Sequence, residues 1–436
     1  MGKILVLGAG KSSGVLINHL LENGIADGHT LLVADASQDN LNERAKGAET
    51  FYGNVGDVET LRPLVALSSV VVSMLPPHMH PTVARLCLGF GKHLLTASYV
   101  SPEIRALHND AKAKGLLFLM ECGLDPGLDH MSAMELLDRL ISEGAEIESF
   151  KSYCGGLVAP ESDNNPWGYK ITWNPRNVVL AGQGTAQFLE EGIVKYVPYH
   201  HIFQRTEPLY FEGYGDYEAY PNRDSLPYIG TYGLQNIKTF LRGTIRKRGF
   251  CSAWHSLVHL GLTDDTVKIS GANNASMSDV LKSFLPNGIN LVRYLNLSES
   301  SEEYQKLAWL GLGEEKRKLV QKNEATPAEF LQALLEKKWK LETGDKDLVL
   351  MQHKVGYFLK GKKNTLTSTL STVGNDGLDT AMARTVGLPL AVATLLLLSG
   401  KINLSGVQIP VSKEVYHPVL MGLKNSGIIF REKSHS

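Results

Sequence analysis

Residues 3–14 read Lys-Ile-Leu-Val-Leu-Gly-Ala-Gly-Lys-Ser-Ser-Gly, and this stretch decides the fold. A β-rich run, Lys3–Leu7, passes directly into Gly8-Ala9-Gly10. From Ser12 to Asn23, Val15, Leu16 and Leu20 recur near one face with helical spacing, and Gly24 stops the pattern. Strand, glycine turn and helix in this order form the phosphate-binding start of a dinucleotide fold. The glycines let the backbone approach a pyrophosphate, whose charge rests at the helix N-terminus. Gly8, Gly10, Lys11, Ser12 and Ser13 are therefore candidate cofactor contacts. Ser13 stands where a third glycine is usual, and serine is small enough for helix–strand packing. Gly10-Lys11-Ser12 imitates an NTPase loop, but Leu5 occupies the place where that motif needs its first glycine.

Moving outward, a second strand over Thr30–Ala34 ends at Asp35. Further strand runs lie at Glu49–Tyr52, Val70–Met74, His93–Thr96 and Leu116–Glu121, with helical stretches at Val58–Leu67, Pro81–Phe90 and Pro102–Lys114. This alternation predicts a doubly wound parallel sheet, a Rossmann domain over residues 1–125. A carboxylate at the end of the second strand accepts hydrogen bonds from the adenosine ribose and repels a 2′-phosphate. Ala36, Ser37 and Gln38 follow Asp35 without an arginine, so NAD is expected in preference to NADP. Leu75, after the fourth strand, and Thr96, Ala97 and Ser98, after the fifth, stand at the carboxyl edge where the cofactor runs.

The chain has 436 residues, 43% hydrophobic and 20% charged, which suits two or three globular domains. Its net charge of -1 lacks the basic footprint of a nucleic-acid binder. Cys87, Cys122, Cys154 and Cys251 are scattered without CxxC spacing, so neither a disulfide framework nor a metal site is expected, and a reducing, cytoplasmic setting fits. Residues 4–7 run into glycines without a signal-type core. The apolar run Leu388–Leu398 contains Pro389 and is shorter than the roughly 20 residues a bilayer needs, so no membrane partner is expected.

The rest predicts an α+β partner domain over 126–379. Residues 146–230, rich in Tyr, Trp, Gly and Pro, suit an antiparallel sheet, and about 232–345 read as an inserted helical region. The charged runs 314–318 and 335–347 read as solvated helix faces. Met351–Lys360 reads as a strand returning to the sheet, and the apolar helix 380–398 as one that packs back on the first domain.

Three segments carry a resemblance: Thr-Ala-Ser-Tyr-Val-Ser (96–101), Cys-Gly-Leu-Asp-Pro-Gly-Leu-Asp-His (122–130) and Tyr-Cys-Gly-Gly-Leu-Val-Ala-Pro-Glu-Ser (153–162). The last continues through Asn165 to Lys170 and Trp173. Echoes follow at Tyr220–Asp224, Arg242–Arg246, Met351–Lys354 and Met382–Gly387. Together they resemble the saccharopine dehydrogenase family, in its glutamate-forming branch, saccharopine reductase. The resemblance implies a substrate and dimerisation domain, a homodimer, and oxidation of saccharopine with water to glutamate and aminoadipate semialdehyde, or the reverse.

Saccharopine carries three carboxylates, a primary ammonium and a secondary amine, so its site needs cationic anchors and groups that take protons. Motif-matching positions offer Arg223 and Arg246 as anchors. Thr244, two residues before Arg246, would reach the same carboxylate from a strand. Asp125, Cys154 and Tyr99 match the positions for proton transfer, with Ser98, Tyr99 and Asp125 also beside the substrate. Asp129 reads as a helix N-cap and His130 as structural. Two alternatives remain open: a carboxynorspermidine-type dehydrogenase, and an inactive NAD-binding sensor or scaffold.

Overall fold

A computed structural model describes residues 2–25, 27–315 and 318–435. The elements group into two units, Met1–Ile147 with Tyr357–Ser436, and Glu148–Gly356.

The first unit is built on β1 (Lys3–Leu7), β2 (Thr30–Asp35), β3 (Glu49–Tyr52), β4 (Val70–Ser73), β5 (His93–Thr96) and β6 (Leu117–Leu119), joined by a short strand at Gly406–Gln408. The order across the sheet is Gly406–Gln408, β6, β5, β4, β1, β2, β3, and every pair is parallel. Ile4–Leu7 and Val70–Val72 are fully buried, as strands covered on both faces must be. The chain reverses direction across the sheet between β1 and β4, so the crevice at their carboxyl ends is the fold's ligand-binding position. This is the expected α/β Rossmann domain.

Details differ where local signals are weak. The helix expected from Ser12 is an α-helix over Gly14–His19 that widens into a π-helical turn over Leu20–Gly24. Pro102–Lys114 divides into Pro102–Arg105 and His108–Ala113. Helix Gln38–Arg44 had no apolar pattern to announce it, since Leu41 is its one buried residue; Ser37 caps it by accepting from Asn40 N.

Helix Ala381–Leu398 packs on Gly14–His19. A Cβ at Gly387 would lie 3.0 Å from Leu16 N and 3.3 Å from Ser12 O, so glycine is what lets the two backbones approach. Its length and mean hydropathy of 1.8 would suit a bilayer, yet 72% of it is buried inside the protein, the surroundings of a core helix. Helix Leu128–Ser142 packs on Lys413–Asn425, and Tyr416 donates to Asp138 Oδ2 at 2.6 Å. Strand Lys362–Val373 pairs with Arg431–His435. These contacts group residues 126–147 and 357–379 with the first unit rather than with the substrate domain.

In the second unit, strands Glu207–Phe211, Gly215–Pro221, Thr239–Lys247, Glu146–Val158 and Asp347–Leu359 lie side by side, with the hairpin Ala186–Glu190/Ile193–Val197 attached to Thr239–Lys247. The sheet is mixed, not wholly antiparallel: Thr239–Lys247 runs parallel to Glu146–Val158. The long excursion between residues 158 and 239 supplies the crossover that a parallel pair requires. Thr239–Lys247 thus interrupts the expected helical region, whose helices are Phe250–His259, Met277–Phe284, Leu291–Leu295, Glu302–Leu310 and Pro327–Lys338. Trp167, Phe250, Trp254 and Trp339 pack ring against ring at its centre.

The charged runs are less solvated than their composition suggests. Lys170 and Asp345 form a largely buried ion pair at 2.5 Å, and Asp347 is buried. Glu315 is buried too, while Lys316 and Arg317 lie outside the described residues.

Candidate functional site

The glycine loop shows how the first unit receives a dinucleotide. Gly8 has φ +98°, and a Cβ there would meet the Met74 carbonyl group at 3.2 Å, so the turn admits no side chain. At Gly10 a Cβ would meet nothing within 4 Å, which leaves the backbone open to a bulky anion. Lys11 is exposed beside it, Ser12 is half-buried, and Ser13 is buried with its N–H donating to Gly10 O at 3.0 Å. Leu75, at the end of β4, packs over Gly8. Loop and neighbours therefore fit a pyrophosphate.

Asp35 ends β2 as expected, but its carboxylate faces inward. Oδ2 accepts from Ala9 N at 2.6 Å; Oδ1 accepts from Ser37 N at 2.7 Å and from Asn40 Nδ2 at 3.3 Å. Asp35 ties the glycine loop to β2. Both oxygens are engaged before any ribose arrives.

At the ends of β4 and β5 the sequence reading missed a residue. His80 is buried, its Nδ1 3.1 Å from Ser73 Oγ and its Nε2 2.9 Å from Ser98 Oγ and 3.2 Å from Thr96 Oγ1. Burial, helped by His78, pushes its pKa down to about 4, so the ring is neutral near pH 7. Thr96 and Ser98 are thus held by one imidazole, and half-buried Ala97 lies between them. The segment Pro76-Pro77-His78-Met79-His80, directly after the fourth strand, was the signal available.

The segment 121–130 closes the same edge. Tyr99 donates to Asp125 Oδ1 at 3.3 Å, so two residues chosen from motifs meet in the structure. Asp125 precedes a cis peptide bond to Pro126. Gly127 is the N-cap of helix Leu128–Ser142 and donates to Asp129 Oδ1 at 2.6 Å, so Asp129 braces the helix start from within its first turn rather than as the cap. His130 Nε2 lies 3.0 Å from Glu121 Oε2.

In the second unit, parallel register sets Cys154 beside Thr244, and Tyr220 pairs with Thr244 from the other side. Alternation along the strand puts Thr244 and Arg246 on one face. Cys154 is buried. A Cβ at Gly155 would collide with Ile245 O at 2.7 Å, so this glycine serves strand contact rather than ligand approach.

Arg246 is the unusual group. It is 3% exposed, with its guanidinium 5.2 Å from the Tyr169 ring centre, 5.3 Å from Phe250 and 5.7 Å from Tyr220. Nη1 donates to its own neighbour's carbonyl, Ile245 O, at 2.9 Å, Nη2 approaches Tyr220 Oη at 3.5 Å, and Nε has no hydrogen-bond partner. No carboxylate among the described residues forms an ion pair with it. Arg223 differs: it is exposed, at φ +50°, beyond the strand Gly215–Pro221. The ladder pairs Glu218 with Arg246, so Arg223 lies five positions past the partner of Arg246, beyond the end of that strand. Among the described residues no cluster of His, Cys, Asp and Glu is arranged to hold a metal.

Comparison with known proteins places this geometry. Residues 4–119 match the model of the saccharopine dehydrogenase NADP binding domain, and residues 123–428 match that of the saccharopine dehydrogenase C-terminal domain. Saccharopine dehydrogenase (NADP(+), L-glutamate-forming) of Pyricularia oryzae is 34% identical, covering 99% of this chain and 98% of its own. The mitochondrial alpha-aminoadipic semialdehyde synthase of Bos taurus is also 34% identical, but the chain spans only 48% of its length. The apo structure of saccharopine dehydrogenase (L-Glu forming) from Saccharomyces cerevisiae superposes with a TM-score of 0.88 at 31% identity, covering 100% of both chains.

The preference for NAD is overturned by these findings, because both the matched domain and the fungal relatives carry NADP in their descriptions. The carboxylate of Asp35 already accepts from Ala9 N, Ser37 N and Asn40 Nδ2, bonds that compete with those a ribose diol would make. Asp35→Ala is therefore expected to weaken both dinucleotides alike, by about 1.5–3 kcal/mol for hydrogen bonds to a charged group. Titration with each cofactor checks this; a switch of preference between them would return Asp35 to the ribose.

Proposed function

The chain belongs to the saccharopine dehydrogenase family, and we propose that it catalyses NADP-dependent oxidation of saccharopine with water to L-glutamate and 2-aminoadipate 6-semialdehyde, or the reverse reductive condensation. It is an oxidoreductase. The observation that carries the reading is Arg246, a buried guanidinium without a carboxylate partner among the described residues. A buried charge is costly unless paired. A substrate carboxylate supplies the missing anion, held by the guanidinium fork with Thr244 on the same strand face. Exposed Arg223 suits a different carboxylate of so extended a substrate.

The glycine loop Gly8–Ser13 holds the pyrophosphate. Lys11 and Arg44, which lies along Gly14, are the cations beside the loop for a 2′-phosphate. Bound NADP would supply the hydride acceptor, or donor, for the carbon beside the secondary amine. Asp125 takes the proton released from nitrogen or from the attacking water, and Tyr99 orients that carboxylate through its hydroxyl. Asp125 also suits the substrate ammonium. Cys154 offers a thiol beside Thr244. Ser98, fixed by the neutral His80, presents a hydroxyl at the carboxyl edge of the first sheet.

A carboxynorspermidine-type substrate has fewer carboxylates and would not supply an anion to both Arg223 and Arg246. Against an inactive sensor stands the joint presence of Asp125, Cys154, Tyr99, Arg223 and Arg246. Exposed Ile193, Tyr196 and Tyr210 on second-unit strands support a homodimer, and four free cysteines support a cytoplasmic setting. With saccharopine and NADP+, NADPH is expected to accumulate, with kcat/KM at least about a hundredfold above that for carboxynorspermidine, because a site built around a charged partner rejects analogues lacking it. Equal use of the two would refute the reading.

A further inference from the structure

One buried residue holds both neighbours of Tyr99, one by its backbone and one by its side chain. Glu121 follows β6 and is 4% exposed. Its backbone N–H donates to Ser98 O at 3.0 Å, and its Oε1 accepts from Val100 N at 3.1 Å. Its other oxygen, Oε2, is 3.0 Å from His130 Nε2 at the start of helix Leu128–Ser142. Cys122 N adds a bond to Thr96 O at 3.0 Å. Residues 98 and 100 are thus fixed from one side, and Tyr99 between them is the residue that reaches Asp125.

Glu121 makes these bonds from φ +55°, a left-handed conformation that favours glycine and that a glutamate enters only at a cost. Strain of this kind persists where surrounding contacts over-determine it, and it gathers at functional sites. From this backbone position the amide and the carboxylate of a single residue reach both sides of Tyr99; glycine would keep the turn but lose the carboxylate.

We infer that Glu121, anchored by His130, is a positioning residue that clamps the peptide 98–100 so that the Tyr99 hydroxyl is aimed at Asp125. This rests on the reading of Tyr99 and Asp125 as groups acting on the substrate. The alternative is that Glu121 merely fastens the loop to the helix, in which case its loss would lower stability without acting through Tyr99.

A double-mutant cycle on the full-length enzyme separates the two. Glu121→Ala and Tyr99→Phe should each lower kcat by about tenfold, less than the roughly 10²–10⁴-fold of a general acid or base itself, because both act through Asp125. The doubly substituted enzyme should be no slower than the slower single variant, and the dissociation constant for NADP should stay within about twofold throughout. Glu121→Gln keeps an oxygen for Val100 N, and His130 can accept from the amide in its other tautomer, so this variant should recover most of the rate. Losses that multiply in the double variant would overturn the inference while leaving Tyr99 in its role. Wild-type turnover of Tyr99→Phe would instead remove the reading on which the inference rests. Should Glu121→Ala fail to fold, Glu121→Asp, which keeps the charge but withdraws the carboxylate by one methylene, carries the same cycle.

Discussion

Arg246→Met should raise the melting temperature of the free protein and at the same time weaken saccharopine binding by about 1.5–3 kcal/mol, the range for hydrogen bonds to charged groups. The two effects have opposite sign for one reason. The guanidinium is buried among Tyr169, Tyr220 and Phe250 with an unsatisfied Nε and no ion-paired carboxylate among the described residues. Cation–π contact with three rings offsets part of the desolvation cost but not all of it. A methionine fills most of the space with no charge to desolvate, and replacing buried ionic groups by hydrophobic ones has stabilised proteins by about 1–4 kcal/mol. Substrate then loses its anchor, whereas NADP binding should not change. Thermal melting and paired titrations check both halves. A lower melting temperature with unchanged saccharopine affinity would make Arg246 a structural cation. Arg223→Ala, by contrast, should cost binding without raising the melting temperature, because Arg223 is exposed and has no desolvated charge to relieve.

Asp125→Ala should give the largest loss of turnover, within the roughly 10²–10⁴-fold range of a positioned general acid or base. Asp125 combines the Tyr99 hydrogen bond with a place at the end of the first sheet, so its removal takes away a proton acceptor and leaves Tyr99 without its partner. Cys154→Ser should cost less, since the hydroxyl preserves size and hydrogen-bonding capacity beside Thr244, and Tyr99→Phe less than Asp125→Ala. The pH profile of kcat distinguishes chemistry from collapse: the limb belonging to Asp125 should vanish in Asp125→Ala and persist in Cys154→Ser. If both variants keep wild-type turnover and profile, the substrate's own amine and water move the protons unaided.

The legible part of this protein follows from burial. Strands β1, β2, β4 and β5 are largely covered on both faces and so mostly apolar, whereas β3 is an exposed edge strand legible only from its β-prone residue types. The bounds of Lys3–Leu7, Glu49–Tyr52 and His93–Thr96 stand in the structure as the run of residue types predicts. Strand Gly406–Gln408 was not legible: three residues paired to Leu117–Leu119 carry no periodicity of their own, and only the packed edge of the sheet makes them a strand.

Position at the end of the second strand singled out Asp35, and motifs that resemble those of the family singled out Arg246, Tyr99 and Asp125. What each side chain touches was decided by tertiary neighbours. Asp35 reads as a ribose ligand until Ala9 N lies 2.6 Å from its carboxylate. In the basic run Arg242, Arg246, Lys247, Arg248, strand alternation and an aromatic cage bury Arg246, while the Arg248 side chain stays 77% exposed. Glu121 carried no pattern, and His80 only its place after the fourth strand, since their importance lies in hydrogen bonds to Val100 and Ser98, residues 21 and 18 positions away. Periodicity and residue type report which face is apolar and which charges are present. Whether a polar atom reaches solvent, ligand or another part of the chain depends on distances that exist only once the strands are side by side.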